Sequence, residues 1–262
     1  MTDVERPHVL LVPGLLGSPP MYRPMAGRLV ARGAASVAIA PVWTPDWLVA
    51  NVTGFGPLMR RTRQAVVRAH RRCGGRPLLV IGHSAGGLVA RLAMSPGPYQ
   101  GRRAGVAEAY GALVTLGAPH GLGTPAARPF RAAFEACRYL DATIPGAWFA
   151  PRTGYLTVGS RLVPGGGKGA TGWGPGNRVA GFFYALLGGE VARGAWGDGL
   201  IVEATTHLEG ARRVTLEGIV HPPGLPLPWY GSDAGLDGWW DAALTTWREA
   251  LRAREPAASP AG

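Results

Sequence analysis

The sequence predicts an α/β protein with a mostly parallel sheet and helices on both faces. Short aliphatic runs alternate along the chain with amphipathic helical patterns, which is typical of strand–helix units laid into such a sheet. The chain has 262 residues, 47% of them hydrophobic, which is enough to bury one large core. We therefore expect a single domain over residues 1–254 and a flexible tail over residues 255–262.

The first half of the chain is predicted to form three strands and three helices. The strands, at residues 8–12, 36–42 and 77–82, are short apolar runs. The helices, at residues 21–32, 55–72 and 85–94, have apolar residues every three or four positions. The second of these helices is strongly basic outside its apolar stripe.

The second half is predicted to contain three more strands, at residues 110–116, 155–159 and 213–217. Helices are predicted at residues 129–140 and 235–254, the latter with a stripe of leucine and tryptophan. Two long, largely irregular stretches, at about 121–153 and 161–197, interrupt this half. We interpret them as short lid-like insertions, because long connections in compact domains usually serve function.

The formal charge of +11 suggests a nucleic-acid or membrane partner, because clustered basic residues attract both. Lys168 is the only lysine, however, and the arginines are scattered without a nucleic-acid-binding motif. We expect no nucleic-acid partner, a solvated basic surface, and at most weak association with an anionic membrane surface. The oligomeric state is left open.

Location and redox state are predicted from the N-terminus and the cysteines. The N-terminus lacks the basic-then-apolar order of an export signal, and no uncharged apolar stretch is long enough to cross a bilayer, so the expectation is a cytoplasmic protein. Cys73 and Cys137 match no metal-ligand spacing. Free thiols are favoured for both, and a bridge between them is left open.

One five-residue motif is the strongest chemical signal in the sequence: Gly82-His83-Ser84-Ala85-Gly86, between the third strand and the third helix. A serine on a sharp strand-to-helix turn has strained backbone angles, and glycine two positions either side removes Cβ atoms that would clash there. This context predicts Ser84 as a nucleophile. An ordinary glycine-rich turn is the alternative.

Two backbone N–H groups are candidates for stabilising an oxyanion near Ser84. The N–H of Ala85 lies at the helix N-terminus, where the helix dipole is positive. A second donor is expected from the loop after the first strand, in which glycines let the backbone approach a substrate. Leu15 is the first candidate in that loop and Leu16 the second, and a plain turn is the alternative.

A serine nucleophile requires a base, and His221 is the favoured one of the six histidines. For a nucleophile on this kind of turn, the acid and then the base follow the serine along the chain. His221 comes just after the last strand and begins a proline-rich loop that can place its ring over the serine. His207, in an apparent helical run before that strand, is the alternative base.

Asp198 is the favoured acid, because it lies in a tight turn between the serine and His221. Its carboxylate would accept a hydrogen bond from one ring nitrogen of His221 and stabilise the imidazolium. Asp141 and Glu190 are interpreted as surface charges, and Glu203 is the second choice.

The motifs PGLLGS, GHSAGG, TLGAPHGLGTPA, GDGLIVEATTHLEGA and LEGIVH resemble, in this order, those of lipase- and esterase-like α/β-hydrolases, including a poorly characterised bacterial and plastid group. The resemblance covers roughly residues 9–230. It implies the α/β-hydrolase fold, a triad of Ser84, Asp198 and His221, and an oxyanion hole of backbone groups. The histidine of TLGAPHG, His120, is similar to one that lines the site in lipases without acting as the base.

Together these features predict a serine carboxylic-ester hydrolase that forms an acyl-enzyme and needs no cofactor or metal. An acyltransferase or thioesterase with the same triad, and a non-catalytic binding module, are the alternatives. An apolar pocket would favour a small-molecule or lipid ester. Its predicted walls, for which plain packing is the alternative, are Leu15, Leu16, His83, His120, Trp148, Phe149, Trp173, Phe182, Phe183 and Trp196.

Overall fold

A computed structural model describes residues 6–122, 130–166, 175–189, 192 and 194–255. Six of its strands form one sheet: β1 (His8–Val12), β2 (Ser36–Ile39), β3 (Leu78–His83), β4 (Tyr110–Leu116), β5 (Gly154–Arg161) and, last in the chain, β8 (Arg212–Glu217). The strand order is β2-β1-β3-β4-β5-β8, and every neighbouring pair is parallel. All carboxyl ends therefore meet at one edge of the sheet.

Two-residue strands β6 (Val163–Pro164) and β7 (Trp196–Gly197) pair antiparallel beyond that edge. The helices are α1 (Pro19–Ala31), α2 (Thr44–Thr53), α3 (Gly56–Arg72), α4 (Ala85–Met94), α5 (Arg131–Thr143), α6 (Pro175–Gly188) and α7 (Asp233–Arg252).

The sheet separates two hydrophobic cores. In β1 and β3, Leu10 and Val80 pack on one face while Leu11 and Ile81 pack on the other, as the two-residue period of a strand requires. Helices α2, α3, α4 and α5 cover the first face, and α1 and α7 cover the second. Both faces of the central strands β1, β3 and β4 are buried, which explains why these strands are nearly continuous apolar runs.

The sequence predicts the strands and most helices within a few residues. The bounds of β1, β4 and α4 match the predicted ones, and the predicted helix at 129–140 corresponds to α5. The second strand ends three residues earlier than predicted, at Ile39. Residue 129, and residues 256–262 of the predicted tail, lie outside the described ranges.

Three helical predictions need correction. Helix α2 was not predicted, because its buried residues are only Trp47 and Ala50 and its other apolar side chains face solvent. Helix α6 occupies a stretch predicted to be irregular, since glycines obscure its apolar period. The run around His207 is not a regular helix: a short 3₁₀ turn, Glu203–Thr206, ends before it.

Cys73 and Cys137 are buried free thiols, the state that the sequence analysis favours. Among the described residues, no helix combines the length and the apolar character needed to cross a bilayer.

Candidate active site

Ser84 is the single residue between the end of β3 and the start of α4, at the carboxyl edge of the sheet. Its φ of 53° and ψ of −134° are strained for a residue with a side chain. Its N–H donates to the carbonyl of Leu116 on β4 (2.8 Å), which anchors the turn to the neighbouring strand. The neighbouring strand therefore holds the strained conformation of Ser84 in place.

Glycines flank this turn because no larger residue fits. A Cβ on Gly86 would lie 2.4 Å from the carbonyl oxygen of Val12, and one on Gly82 would lie 2.5 Å from the Cα of Gly87. Both distances are far inside van der Waals contact, and the close atoms belong to the backbone, which cannot swing away. The spacing of the motif thus follows from how tightly β1, β3 and α4 meet.

The structure brings His221 to Ser84. The Nε2 atom of His221 lies 2.8 Å from the Ser84 Oγ, and both side chains are nearly buried. The His221 N–H donates to the Asp198 carbonyl (3.0 Å), which fixes the loop after β8 against the turn that holds the acid.

Asp198 completes the line of side chains. Its Oδ2 accepts a hydrogen bond from His221 Nδ1 (2.7 Å), and its Oδ1 accepts from the N–H groups of Leu200 (3.1 Å) and Ile201 (2.8 Å). Because a carboxylate accepts, His221 carries its proton on Nδ1 and leaves Nε2 free to accept from the serine. A hydroxyl in this arrangement can pass its proton to the imidazole as it attacks.

Tyr230 is a residue that the sequence did not single out. It is fully buried, and its hydroxyl donates to Asp198 Oδ2 over 2.8 Å. Burial and the Asp198 charge raise the pKa of Tyr230 well above its usual value, so the phenol keeps the proton it donates. No motif surrounds Tyr230 in the sequence, so only its position in space shows this contact.

The predicted oxyanion donors border the same space. The loop after β1 lies directly against the serine, since a Cβ on Gly14 would be 2.8 Å from the Ser84 Cβ. Leu16, beside Leu15, has a φ of 60°, so this loop is also strained. Among the described residues, neither the Leu15 N–H nor the Ala85 N–H donates a hydrogen bond to another protein group. Both remain available to a substrate oxygen.

A cavity of about 390 Å³ opens onto Ser84. Most of its lining is apolar, and Asn51 is the one side-chain amide among the described residues that contribute to it. A larger groove of about 550 Å³ lies between β2, the outermost strand on one side of the sheet, and α3. Ser84, Asp198 and His221 do not line it. The apolar wall of the cavity at Ser84 includes Leu15, Leu16, Met21, Phe55, Phe183 and Leu187.

Several predicted wall residues do not line this cavity. Phe182 is 61% exposed on α6, whereas the next residue, Phe183, faces the cavity, because consecutive helical residues point about 100° apart. Trp148 and Trp196 are about half exposed elsewhere, and Phe149 is partly buried against the core on the first face of the sheet. Trp173 lies outside the described residues. Of the predicted wall residues that the structure describes, Leu15, Leu16, His83 and Phe183 border this cavity.

His120 was also predicted to line the cavity, and it does not. It is buried behind β4, where Nε2 donates to Thr115 Oγ1 (3.0 Å) and Nδ1 faces the Arg91 guanidinium (3.5 Å). Burial and then the Arg91 charge hold the pKa of His120 well below its usual value. Its neighbour Pro119 contacts the cavity in its place.

The rival base and acid pair with each other. His207 Nε2 lies 2.7 Å from Glu203 Oε1, and neither residue lines the cavity. Asp141 is exposed at the end of α5, as predicted, and Glu190 lies outside the described residues. In the part of the chain that the structure describes, no three His, Cys, Asp or Glu side chains form a group suited to a metal ion.

No protein-family model matches the chain, and a comparison with curated proteins gives no match. Solved structures do match. Mature lipase BlEst2 of Bacillus licheniformis is similar over 94% of each chain, with a TM-score of 0.59 and 16% sequence identity. Butyrate-bound esterase Est2 of Thermogutta terrifontis matches 98% of this chain and 86% of its own, with a TM-score of 0.46 and 15% identity. The first similarity, together with the parallel sheet, confirms the predicted α/β-hydrolase fold.

Proposed function

We propose that this protein, which has the α/β-hydrolase fold, is a serine carboxylic-ester hydrolase. One observation carries the proposal: an unbroken line from Ser84 Oγ to His221 Nε2 (2.8 Å) and from His221 Nδ1 to Asp198 Oδ2 (2.7 Å), beside an apolar cavity. Serine, base and acid in this geometry are the parts that acyl transfer needs. The similarity in fold to the lipase of Bacillus licheniformis agrees with this chemistry.

In the first half of the reaction, Ser84 Oγ attacks the ester carbonyl while its proton moves to His221 Nε2. Asp198 stabilises the resulting imidazolium, and the N–H groups of Ala85 and Leu15, with Leu16 as the alternative to Leu15, stabilise the oxyanion. His221 then donates that proton to the departing alkoxide. The products are an alcohol and an acyl ester on Ser84.

In the second half, water takes the place of the alcohol. His221 accepts a proton from the water as its oxygen attacks the acyl carbonyl, and returns the proton to Ser84 Oγ as the bond to serine breaks. The carboxylic acid leaves and Ser84 is regenerated. No step draws on a group beyond this chain, the ester and water.

The cavity points to a small, uncharged ester. Its lining offers no cationic partner for a phosphate among the described residues, and its apolar wall favours an acyl chain or an aromatic group. The volume of about 390 Å³ lies near the lower end of the range for ligand sites, about 300–1,000 Å³. We therefore expect short and medium acyl chains to be hydrolysed faster than long ones.

A fluorophosphonate probe and a panel of p-nitrophenyl esters from acetate to palmitate test the proposal. The wild-type protein should be labelled and should hydrolyse the shorter esters, whereas Ser84→Ala should do neither. Ser95→Ala is the matched control, because Ser95 is equally buried but its hydroxyl lies 2.8 Å from the Tyr139 hydroxyl, away from the cavity. Equal labelling of Ser84→Ala and wild type would refute the proposal.

Acyl transfer to an alcohol and thioester hydrolysis would use the same side chains. Product analysis with an added alcohol, and acyl-CoA offered beside the p-nitrophenyl esters, separate these activities from ester hydrolysis. A non-catalytic binding module would leave the probe unreacted. The cytoplasmic location and the weak association with anionic membranes remain predictions.

A further inference from the structure

Two buried side chains connect the oxyanion loop with the base loop. The Tyr22 hydroxyl lies 2.9 Å from the Gly14 backbone nitrogen and 2.8 Å from His83 Nδ1. The other ring nitrogen, His83 Nε2, lies 3.0 Å from the carbonyl oxygen of His221. A continuous chain of hydrogen bonds thus runs from residue 14 to residue 221 through the residue that precedes Ser84.

The direction of every bond in this chain is determined by its ends. The His221 carbonyl only accepts, so His83 carries its proton on Nε2. Nδ1 is then an acceptor and takes the Tyr22 hydroxyl proton, which leaves the Tyr22 oxygen to accept from the Gly14 N–H. All donors and acceptors match only when His83 is neutral with the proton on Nε2.

At one end, the chain holds the loop that carries the proposed oxyanion donor. The Gly14 N–H is held by Tyr22, and the Gly14 carbonyl accepts from the Gly17 N–H (2.8 Å). Leu15, with its N–H available, lies inside this turn. A shift of Gly14 would therefore move the Leu15 N–H relative to Ser84.

At the other end, the chain holds the base. The His221 backbone is fixed on both sides, by its N–H to the Asp198 carbonyl (3.0 Å) and by its carbonyl to His83 Nε2. The side-chain contacts to Ser84 and Asp198 start from this fixed backbone. A loosened carbonyl would let the ring of His221 change its angle to the serine.

The ring of His83 is also an electrostatic neighbour of the base, with ring centroids 4.9 Å apart. Burial, and then the charge of His221, hold the pKa of His83 well below its usual value. The imidazolium that forms on His221 during turnover therefore meets a neutral ring. The buried Trp229 packs edge-on against both Tyr22 and His83.

We propose that Tyr22 and His83 are a positioning pair that sets the oxyanion loop and His221 in register on either side of Ser84. The hydrogen bonds of the pair link it to Gly14 in one loop and to His221 in the other. The proposal rests on the ester hydrolase proposed above, and it adds to the prediction of His83 as a pocket residue: His83 borders the cavity, and both of its ring nitrogens are engaged in the chain.

Replacing Tyr22 with phenylalanine removes only the hydroxyl. We expect kcat for the best p-nitrophenyl ester to fall about 10- to 100-fold with KM nearly unchanged. The oxyanion donor and the base act in the transition state, so displacing them lowers kcat alone. Tyr110→Phe is the matched control. Tyr110 is equally buried and donates to the Ala90 carbonyl (3.1 Å) at the opposite edge of the sheet. Loss of its hydroxyl should lower stability without affecting kcat.

His83 offers a test of polarity at nearly constant size. Glutamine presents a donor and an acceptor, whereas leucine presents neither. We expect kcat to fall in His83→Leu and to fall much less in His83→Gln. Equal losses in the two variants would show that the ring acts only by filling space and would overturn the proposal.

A measurement that does not depend on turnover separates this proposal from the ester hydrolase itself. In ¹⁵N-histidine NMR spectra of the wild-type protein, His83 should show protonated Nε2 and unprotonated Nδ1 across neutral pH. A proton on Nδ1 would refute the chain even in an active enzyme. The expected tautomer in a protein that neither hydrolyses esters nor reacts with the probe would refute only the hydrolase, whereas normal kcat in Tyr22→Phe would refute the positioning role.

Discussion

Two buried histidine–carboxylate pairs lie near the same edge of the sheet, and only one of them reaches a nucleophile beside a cavity. His221 and Asp198 are 2.7 Å apart, and so are His207 and Glu203. Both pairs are at least nine-tenths buried. Distance and burial alone therefore do not distinguish the pair that we propose to be catalytic from the other pair.

The second ring nitrogen distinguishes them. His221 Nε2 faces Ser84 Oγ beside the cavity, whereas His207 Nδ1 faces Thr157 Oγ1 (3.0 Å). Thr157 is buried in β5 and donates to the carbonyl of Arg212 on β8. That hydroxyl is committed to holding two strands together, so it is not available to a substrate.

The two carboxylates also differ in their partners. Asp198 accepts from two backbone N–H groups and Tyr230, all of which orient it without bringing a formal charge. Glu203 accepts from Thr215 (2.6 Å) and forms an ion pair with Arg161 (3.3 Å), so part of its charge is neutralised by a group other than its histidine. Asp198 thus has His221 as its one charged partner among these contacts, whereas Glu203 links its own turn to β5 and β8.

The largest expected contrast is between the two histidines. His221→Ala should lower kcat by about 10⁴-fold or more, because Ser84 loses its base. His207→Ala should leave kcat near the wild-type value and lower the free energy of unfolding by about 1–3 kcal/mol, since Glu203 loses a buried partner. Steady-state kinetics and denaturant unfolding measure both. The assignment of the base is wrong if His207→Ala abolishes turnover and His221→Ala does not.

Neutralising the two carboxylates should give the next largest contrast. Asp198→Asn keeps the shape of the site but loses the charge that stabilises the imidazolium, and we expect kcat to fall about 10⁴-fold with a small residual activity. Glu203→Gln should change kcat little. Hydrolysis of p-nitrophenyl butyrate by both variants measures the difference, and similar losses in the two would mean that Glu203 also serves the reaction.

The hydroxyls that donate to the carboxylates form a smaller matched pair. Tyr230→Phe should lower kcat about 10-fold, because a hydrogen bond to a charged group contributes about 1.5–3 kcal/mol and only part of this acts in the transition state. Thr215→Val should lower stability by about 1 kcal/mol with kcat unchanged. Kinetics and thermal unfolding of both variants test this. An unchanged kcat in Tyr230→Phe would show that the Tyr230 hydroxyl does not assist Asp198 in the reaction.

The smallest effect concerns the pH dependence of stability. Burial alone would raise the pKa of Glu203, but hydrogen bonds from Thr215 and His207 outweigh it, and the pKa lies below its usual value of 4.5. A lowered pKa in the folded state contributes stability above the unfolded value and loses it as pH falls through the folded value. The Tm difference between wild type and Glu203→Gln should therefore be largest near neutral pH and shrink below about pH 4. A difference that grows on acidification would contradict this sign.

Much of the fold was predictable because its causes are local. β1 and β4 are buried on both faces, so their sequences are continuous apolar runs whose ends can be read directly. The turn at Ser84 is also local, since Gly82 and Gly86 are required by the clashes that any Cβ would meet there. Helix α6 escaped prediction because its glycines hide the apolar period that marks other helices.

The sequence by itself determined the strand–turn–helix around Ser84 and the order in which an acid and a histidine follow it. Only the tertiary structure decided that His221 and not His207 meets the serine, that Tyr230 supports Asp198, and that Tyr22 and His83 join two loops. All but one of these contacts, the bond between Gly14 and Tyr22, connect residues 32 to 138 positions apart, and their geometry depends on how strands and helices pack rather than on neighbouring residues. For the same reason, the sequence does not show that Phe183 rather than Phe182 lines the pocket. The rotation of α6 about its axis decides which of the two side chains faces the cavity.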